Sequence, residues 1–209
     1  MGTAAAMNAV LDPTTGASLE YRHLMQTSAA PTCSTSFANN LGCLINGLGT
    51  RMTKGTNTMG FIQRNKVPKH KHPTYGRLVC DIRIHKAETH RTRLTVGGNL
   101  IKYAGDKSTA TADLTTIKCL LNLTLSDSNT RFCTTDVKNF YLGTPLPEYE
   151  YMKLKLAVIP LEIMEQYNLC VIEDDGWIYC EINKGMYGLP HAGKIANDRL
   201  QQHLAPYDY

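Results

Sequence analysis

The residues best placed to do chemistry lie in Thr135-Asp136-Val137-Lys138-Asn139-Phe140-Tyr141-Leu142. Asp136 follows the apolar pair Phe132-Cys133 and precedes two adjacent aromatic rings. Hard cations such as Mg2+ take oxygen ligands, best supplied by carboxylates held at rigid strand ends. Two such cations about 4 Å apart can hold both the attacking and the leaving oxygen of a phosphoryl displacement. An Asp in this position is also the usual helix N-cap, so residue type alone leaves both roles open. Phe140 and Tyr141 are equally at home in a core. A second segment, Lys184-Gly185-Met186-Tyr187-Gly188-Leu189-Pro190-His191-Ala192-Gly193, reads as a glycine-containing exit from a strand. Glycine in such a loop allows backbone to approach a ligand closely.

The elements that must position these residues follow from periodicity. Leu19 to Met25 and Ser36 to Asn46 have helical apolar spacing, with Phe37, Leu41, Leu44 and Ile45 as one buried stripe. Thr58 to Gln63 reads as a short strand, and Arg64 to Thr74 as an exposed loop. Arg77 to Ile84 and Arg91 to Val96 alternate and predict an antiparallel hairpin through Lys86–Thr89. Thr111 to Leu125 carries Leu114, Ile117, Leu120, Leu121 and Leu125 on one helical face, capped by Thr109 or Thr111 with Asp113 in the first turn. A strand over Arg131 to Asp136 leads into a short helical turn through Phe140. Tyr149 to Leu154 reads as a strand and Pro160 to Tyr167 as a helix opened by proline. Asp174-Asp175-Gly176 forms a turn into the strand Trp177 to Ile182, and Ala192 to Leu204 is a helix. The sum is an α+β or α/β arrangement of helices on a sheet.

Composition narrows the classes. The chain has 209 residues, 43% of them hydrophobic, and a net charge of +4. Between Arg51 and Tyr103 stand twelve Lys or Arg against Asp81 and Glu88, a local balance of +10. Basic charge gathered in this way suits a phosphate-bearing partner, or is simply a solvated face. There is neither a signal-peptide pattern at the N-terminus nor an apolar run of membrane-spanning length, so a cytoplasmic or nuclear location is expected. The seven cysteines form no close C-x-x-C pair. Cys80, His85 and His90 are spaced like part of a zinc knuckle but lack a fourth ligand, and reduced, mostly buried thiols are expected. Asn122-Leu123-Thr124 matches a glycosylation sequon but falls inside a helix.

Taken in order, three segments resemble a retroelement reverse transcriptase of the Ty1/copia type. His90-Arg91-Thr92-Arg93-Leu94-Thr95-Val96-Gly97-Gly98 is similar to that family's Tyr-Lys-Ala-Arg-Leu-Val-Ala-Lys-Gly. Asp136 to Thr144 is similar to its Asp-Val-Lys-x-Ala-Phe-Leu-Asn-Gly. Tyr149-Glu150-Tyr151-Met152 and Cys180 to Gly193 resemble Glu-x-Tyr-Met and the strand before Leu-Tyr-Gly-Leu-Lys-Gln-Ala. The resemblance implies that Asp136 is a catalytic Mg2+ ligand, joined by the backbone carbonyl of Val137. It implies that Arg93, helped by Arg91 and Lys86, reaches the incoming triphosphate, and that Tyr141 closes off the sugar 2′ side. Gly188 would bring backbone close to nucleotide and template, and His191 stands where the family has Gln, with one hydrogen bond in place of a two-sided amide.

The resemblance covers roughly residues 58–209: polymerase fingers over 58–130 and the start of the palm over 131–209, with an antiparallel sheet and packed helices. Residues 1–57 are a leader and N-terminal helices, weakly matched. The chain stops before the catalytic Asp-Asp hairpin of the third motif, and Asp174-Asp175 lies too early and in the wrong setting to replace it. The expected function is therefore RNA-directed DNA polymerase by descent, with RNA/DNA template-primer and dNTP as partners, inactive as this polypeptide. The alternatives are a non-catalytic nucleic-acid-binding module and a functionless relic of an element.

Overall fold

The computed structural model describes residues 10–12, 14–83, 85, 88–109 and 112–207. Its helices are α1 (Tyr21–Leu24), α2 (Ala30–Leu44), α3 (Leu114–Ser126), α4 (Leu161–Gln166), α5 (Leu169–Ile172) and α6 (Ala192–Leu204). Its strands are β1 (Met59–Ile62), β2 (Thr74–Ile82), β3 (His90–Val96), β4 (Pro145–Lys155) and β5 (Trp177–Lys184), in the spatial order β1-β5-β4-β2-β3. The architecture is α+β, as expected.

The sheet is mixed rather than antiparallel throughout. Three pairings are antiparallel, but β2 runs parallel to β4 over Thr74↔Met152 and Tyr75↔Lys153. Hairpin logic finds β2-β3 and misses this join, because β1 and β2 are sequence neighbours with β5 and β4 seated between them. Three strand spacings of about 4.8 Å are easily spanned by the connection over residues 63–73.

The period of two sorts the strands onto two faces. Phe61, Cys180, Met152 and Thr74 form one row across the sheet, and Ile62, Tyr179, Lys153 and Tyr75 the next. The first row belongs to the core face, which continues through Leu78, Leu94 and Val96 and packs against Phe37, Leu41, Leu44 and Ile45. That stripe is buried as its spacing predicts. Helix α2 starts at Ala30, six residues before the expected Ser36, because Pro31 is tolerated in a first turn and the polar run after it hides the periodicity.

Helix α2 also closes the edge of the sheet. The outward amide of Thr92 donates to Ser36 Oγ at 2.9 Å and that of Leu94 to Asn40 Oδ1 at 2.8 Å. Ser36 and Asn40 are one helical turn apart, matching alternate residues of the strand. An edge whose amides are already bonded is no template for a further strand.

Two expectations fail between Leu114 and Asp136. Helix α3 forms, but its cap is Asp113, whose carboxylate accepts from the Thr116 amide at 2.7 Å; Thr111 lies outside the described residues. None of its residues is buried, and Leu114, Leu120, Leu121 and Leu125 are exposed. The strand expected over Arg131 to Asp136 is absent: the segment is irregular and exposed, since β propensity needs a ladder partner and no described strand lies beside it. The thiols also depart from expectation. All seven are free, yet only Cys33 and Cys180 are buried, while Cys119, Cys133 and Cys170 are exposed. Among the described residues no helix is long and apolar enough to cross a membrane.

Candidate nucleotide-facing site

Strand β3 presents Arg91 and Arg93 on the face opposite the core. Asp81 lies across from Arg91 and Val79 across from Arg93, so three charged groups converge where the hairpin alternates. Arg93 Nη2 is 3.5 Å from Asp81 Oδ2, and Arg83 Nη2 is 3.3 Å from Glu88 Oε2. Arg93 is thus paired with Asp81 and Arg83 with Glu88, while Arg91 stands opposite Asp81 on the neighbouring strand. Burial, followed by the like charges of Arg93 and Arg83, pulls the Arg91 pKa down, against weaker opposing effects of Asp81 and Tyr187. Arginine stays charged under such a shift, so excess positive charge is the stable state of this face. Arg83 Nε and Arg93 Nε are buried donors without an acceptor, and Asp81 Oδ1 is a buried acceptor without a donor, each costly to leave unpaired. Lys86 lies outside the described residues.

The loop after β5 is fixed to the end of β3. The Val96 amide donates to the Tyr187 carbonyl at 2.8 Å. Gly188 follows with φ +94°, and a Cβ there would lie 2.1 Å from the Val96 carbonyl oxygen. Gly98 is equally confined, since its Cβ would meet the Gly188 oxygen at 2.0 Å. Only glycines permit this backbone-on-backbone contact. Tyr187 in turn places its ring edge-on to Tyr141, centroids 5.6 Å apart at 83°, and Tyr141 lies 5.6 Å from Phe140. Both rings of that pair are half-buried.

His191 is buried at the N-cap position of α6 and stacks on Tyr103, centroids 4.3 Å apart and nearly parallel at 14°. Burial, with Lys71 and Lys107 adding to it and Glu150 opposing, holds its imidazole pKa below the ordinary value. The ring is therefore neutral near pH 7, and its Nδ1 is buried without a partner.

Asp136 lies outside the helices and strands. It lies exposed on the irregular stretch before the turn at Lys138–Gly143, and Val137 is 51% exposed. Among the described residues no group of three or more Asp, Glu, His or Cys could hold a metal ion. Mg2+ is held by one or two carboxylates, with water and substrate phosphate completing its shell, so Asp136 with the Val137 carbonyl would supply part of such a set. The zinc-knuckle spacing of Cys80, His85 and His90 likewise gathers no such group among the described residues.

Arg91 and Arg93 share one strand face, the backbone of Tyr187-Gly188 is joined to β3, and Tyr141 touches Tyr187. Asp136 lies on the irregular segment that runs into the turn carrying Tyr141. Sequence reasoning overlooked Asp81 and Arg83, although alternation with Arg91 and Arg93 across the hairpin was the available signal. It also assigned no role to Tyr187 and Tyr103, whose ring contacts with Tyr141 and His191 are set by the fold. Comparison with protein-family models, with curated proteins and with solved structures returns no match.

Proposed function

We propose that this chain is the fingers and the beginning of the palm of a Ty1/copia-type reverse transcriptase, an RNA-directed DNA polymerase by descent. In this reading Arg93 and Arg91 engage nucleotide or template phosphate, Tyr141 faces the sugar, and Gly188 and His191 border the nucleotide. One observation carries it: residues 91–93, 141 and 187–191, far apart in sequence, are linked through the backbone contact of Tyr187-Gly188 with Val96 and the ring contact of Tyr187 with Tyr141. Motifs that resemble the family separately are thereby neighbours in space, as a shared site requires. Asp136 retains the role of Mg2+ ligand only as part of that proposal.

The polypeptide of 209 residues is expected to bind nucleic acid without extending a primer. The test is fluorescence anisotropy with a labelled RNA/DNA template-primer across a salt series, alongside primer extension in Mg2+ or Mn2+. Arg91→Ala and Arg93→Ala should each lower the salt slope by about 0.9, one phosphate fewer being neutralised, and Asp136→Ala should leave binding unchanged. Clear extension would sink the inactive part of the proposal. Binding indifferent to both arginines would sink the site.

A non-catalytic nucleic-acid-binding module remains the second reading, favoured by one observation. The arginine face is built by β2, β3 and the residues directly flanking them, and makes no use of Asp136. Template-primer binding without any affinity for dNTP would select it.

A further inference from the structure

Tyr187 lies in the motif after β5 and touches two other parts of the proposed site. Its carbonyl is fixed to β3 through the Val96 amide, three residues beyond Arg93. Its ring meets the Tyr141 ring edge-on at 5.6 Å. The backbone of Tyr141 is itself held, because the Thr144 amide donates to its carbonyl at 2.9 Å and Gly185 packs so closely that a Cβ would lie 2.7 Å from the same oxygen. What the backbone leaves free is the rotation of the Tyr141 side chain. The two flanking rings, Phe140 and Tyr187, are its aromatic walls. An edge-to-face pair biases a two-position side chain by roughly two- to tenfold. Tyr187 is 37% exposed, so its ring is not a core element whose loss would unfold the sheet.

We propose that Tyr187 is a positioning residue that holds the Tyr141 ring against the sugar of a bound nucleotide, and so sets the preference for deoxynucleotides over ribonucleotides. This rests on the reading of Tyr141 given above. Tyr187 itself does not touch the sugar. Its effect passes through the angle it imposes on its neighbour, as its fixed backbone and edge-on ring allow.

The experiment titrates dATP and ATP, with Mg2+ present, against the 209-residue chain and its Y187L, Y187F, Y141A and Y141A/Y187L variants. A close wall facing one extra hydroxyl discriminates by roughly 10- to 200-fold, and the unsubstituted chain should prefer dATP within that range. Y187L should reduce the preference by roughly two- to tenfold with dATP affinity little changed, and Y187F, which keeps the ring, should retain it. Y141A/Y187L should match Y141A, because the second change acts only through the first. Thermal unfolding accompanies each variant, and Y187M provides a second aliphatic substitution should Y187L unfold. A chain that binds neither nucleotide overturns the site and this inference together. Binding without preference removes Tyr141 from the sugar and this inference with it. A preference that survives both Y187L and Y187M overturns the role of Tyr187 alone.

Discussion

Gly188→Ala is the substitution that most directly tests whether the loop after β5 is locked to β3. Gly188 has φ +94°, and an added Cβ would stand 2.1 Å from the Val96 oxygen, 2.7 Å from its nitrogen and 3.0 Å from its carbonyl carbon. All three obstacles are backbone, so no side-chain rotation relieves them. A left-handed conformation costs a non-glycine residue about 1–2 kcal/mol. Separating the two backbones adds the Val96–Tyr187 hydrogen bond, about 0.5–1.5 kcal/mol. The expected loss is therefore about 1.5–3.5 kcal/mol. Gly176→Ala isolates the first cost, because Gly176 has φ +74° with nothing within 4 Å of a Cβ; about 1–2 kcal/mol is expected. Gly60→Ala has open space and an ordinary backbone angle, and should be close to neutral. Urea denaturation followed by far-UV circular dichroism gives all three values. If Gly188→Ala proves no more costly than Gly176→Ala, the close approach is not rigid and the reasoning about the loop is wrong.

The pH dependence of stability should carry the signature of His191. Its folded pKa is lowered by burial, so between that value and about 6.5 the unfolded state binds the extra proton, and stability falls as the pH drops through this window; His191→Gln should flatten the profile there, and an unchanged profile would deny that the ring is buried neutral. Leu121→Glu and Leu125→Glu, on a face of α3 that touches little, should change stability by less than about 0.5 kcal/mol while reducing aggregation in light scattering, and a large loss of stability would mean that α3 is packed. Hydrogen exchange should find the Thr92, Leu94 and Val96 amides protected by Ser36, Asn40 and Tyr187, with residues 131–137 exchanging freely; Ser36→Ala should release Thr92 and cost about 1–3 kcal/mol for the unpaired buried donor.

Alternation made β2 and β3 legible because each has one face on the core and one away from it. The stripe on α2 was legible for the same reason. Helical periodicity over Leu114 to Leu125 was also correct, yet periodicity reports a potential apolar face and carries no information about what covers it. The strand expected at Arg131 failed on the same ground, since a ladder is a property of two segments and only one was in view. The parallel β2–β4 join is non-local in that sense too. The arginine face was half legible: Arg91 and Arg93 stood out by type, while Asp81 and Arg83 needed the hairpin register to be recognised as their neighbours. Ser36 and Asn40 gave no sign of their role, because small polar residues in a helix look the same whether they face water or a strand edge.

Exposure of α3 and the poor support of Asp136 are two aspects of one physical fact. Between Leu114 and Val137, eight large apolar side chains are 40% exposed or more. Fully burying one such side chain contributes about 1.5–3 kcal/mol, so with roughly half their surface open, some 6–12 kcal/mol of hydrophobic stabilisation is unrealised in this stretch. That rivals the whole stability of an ordinary domain, about 5–15 kcal/mol. A carboxylate that is to hold a hard cation is best held on rigid backbone, and Asp136 lies within this uncovered stretch. Arg91 and Arg93 stand on a strand bonded along both sides, to β2 and to α2 and the Tyr187 carbonyl. The rigid part of the molecule is thus the part that would meet phosphate, and the unsupported part is the one that would meet metal. In the proposed reading, the arginines that would meet phosphate rest on a strand bonded along both sides, while Asp136 lies where the apolar side chains are uncovered.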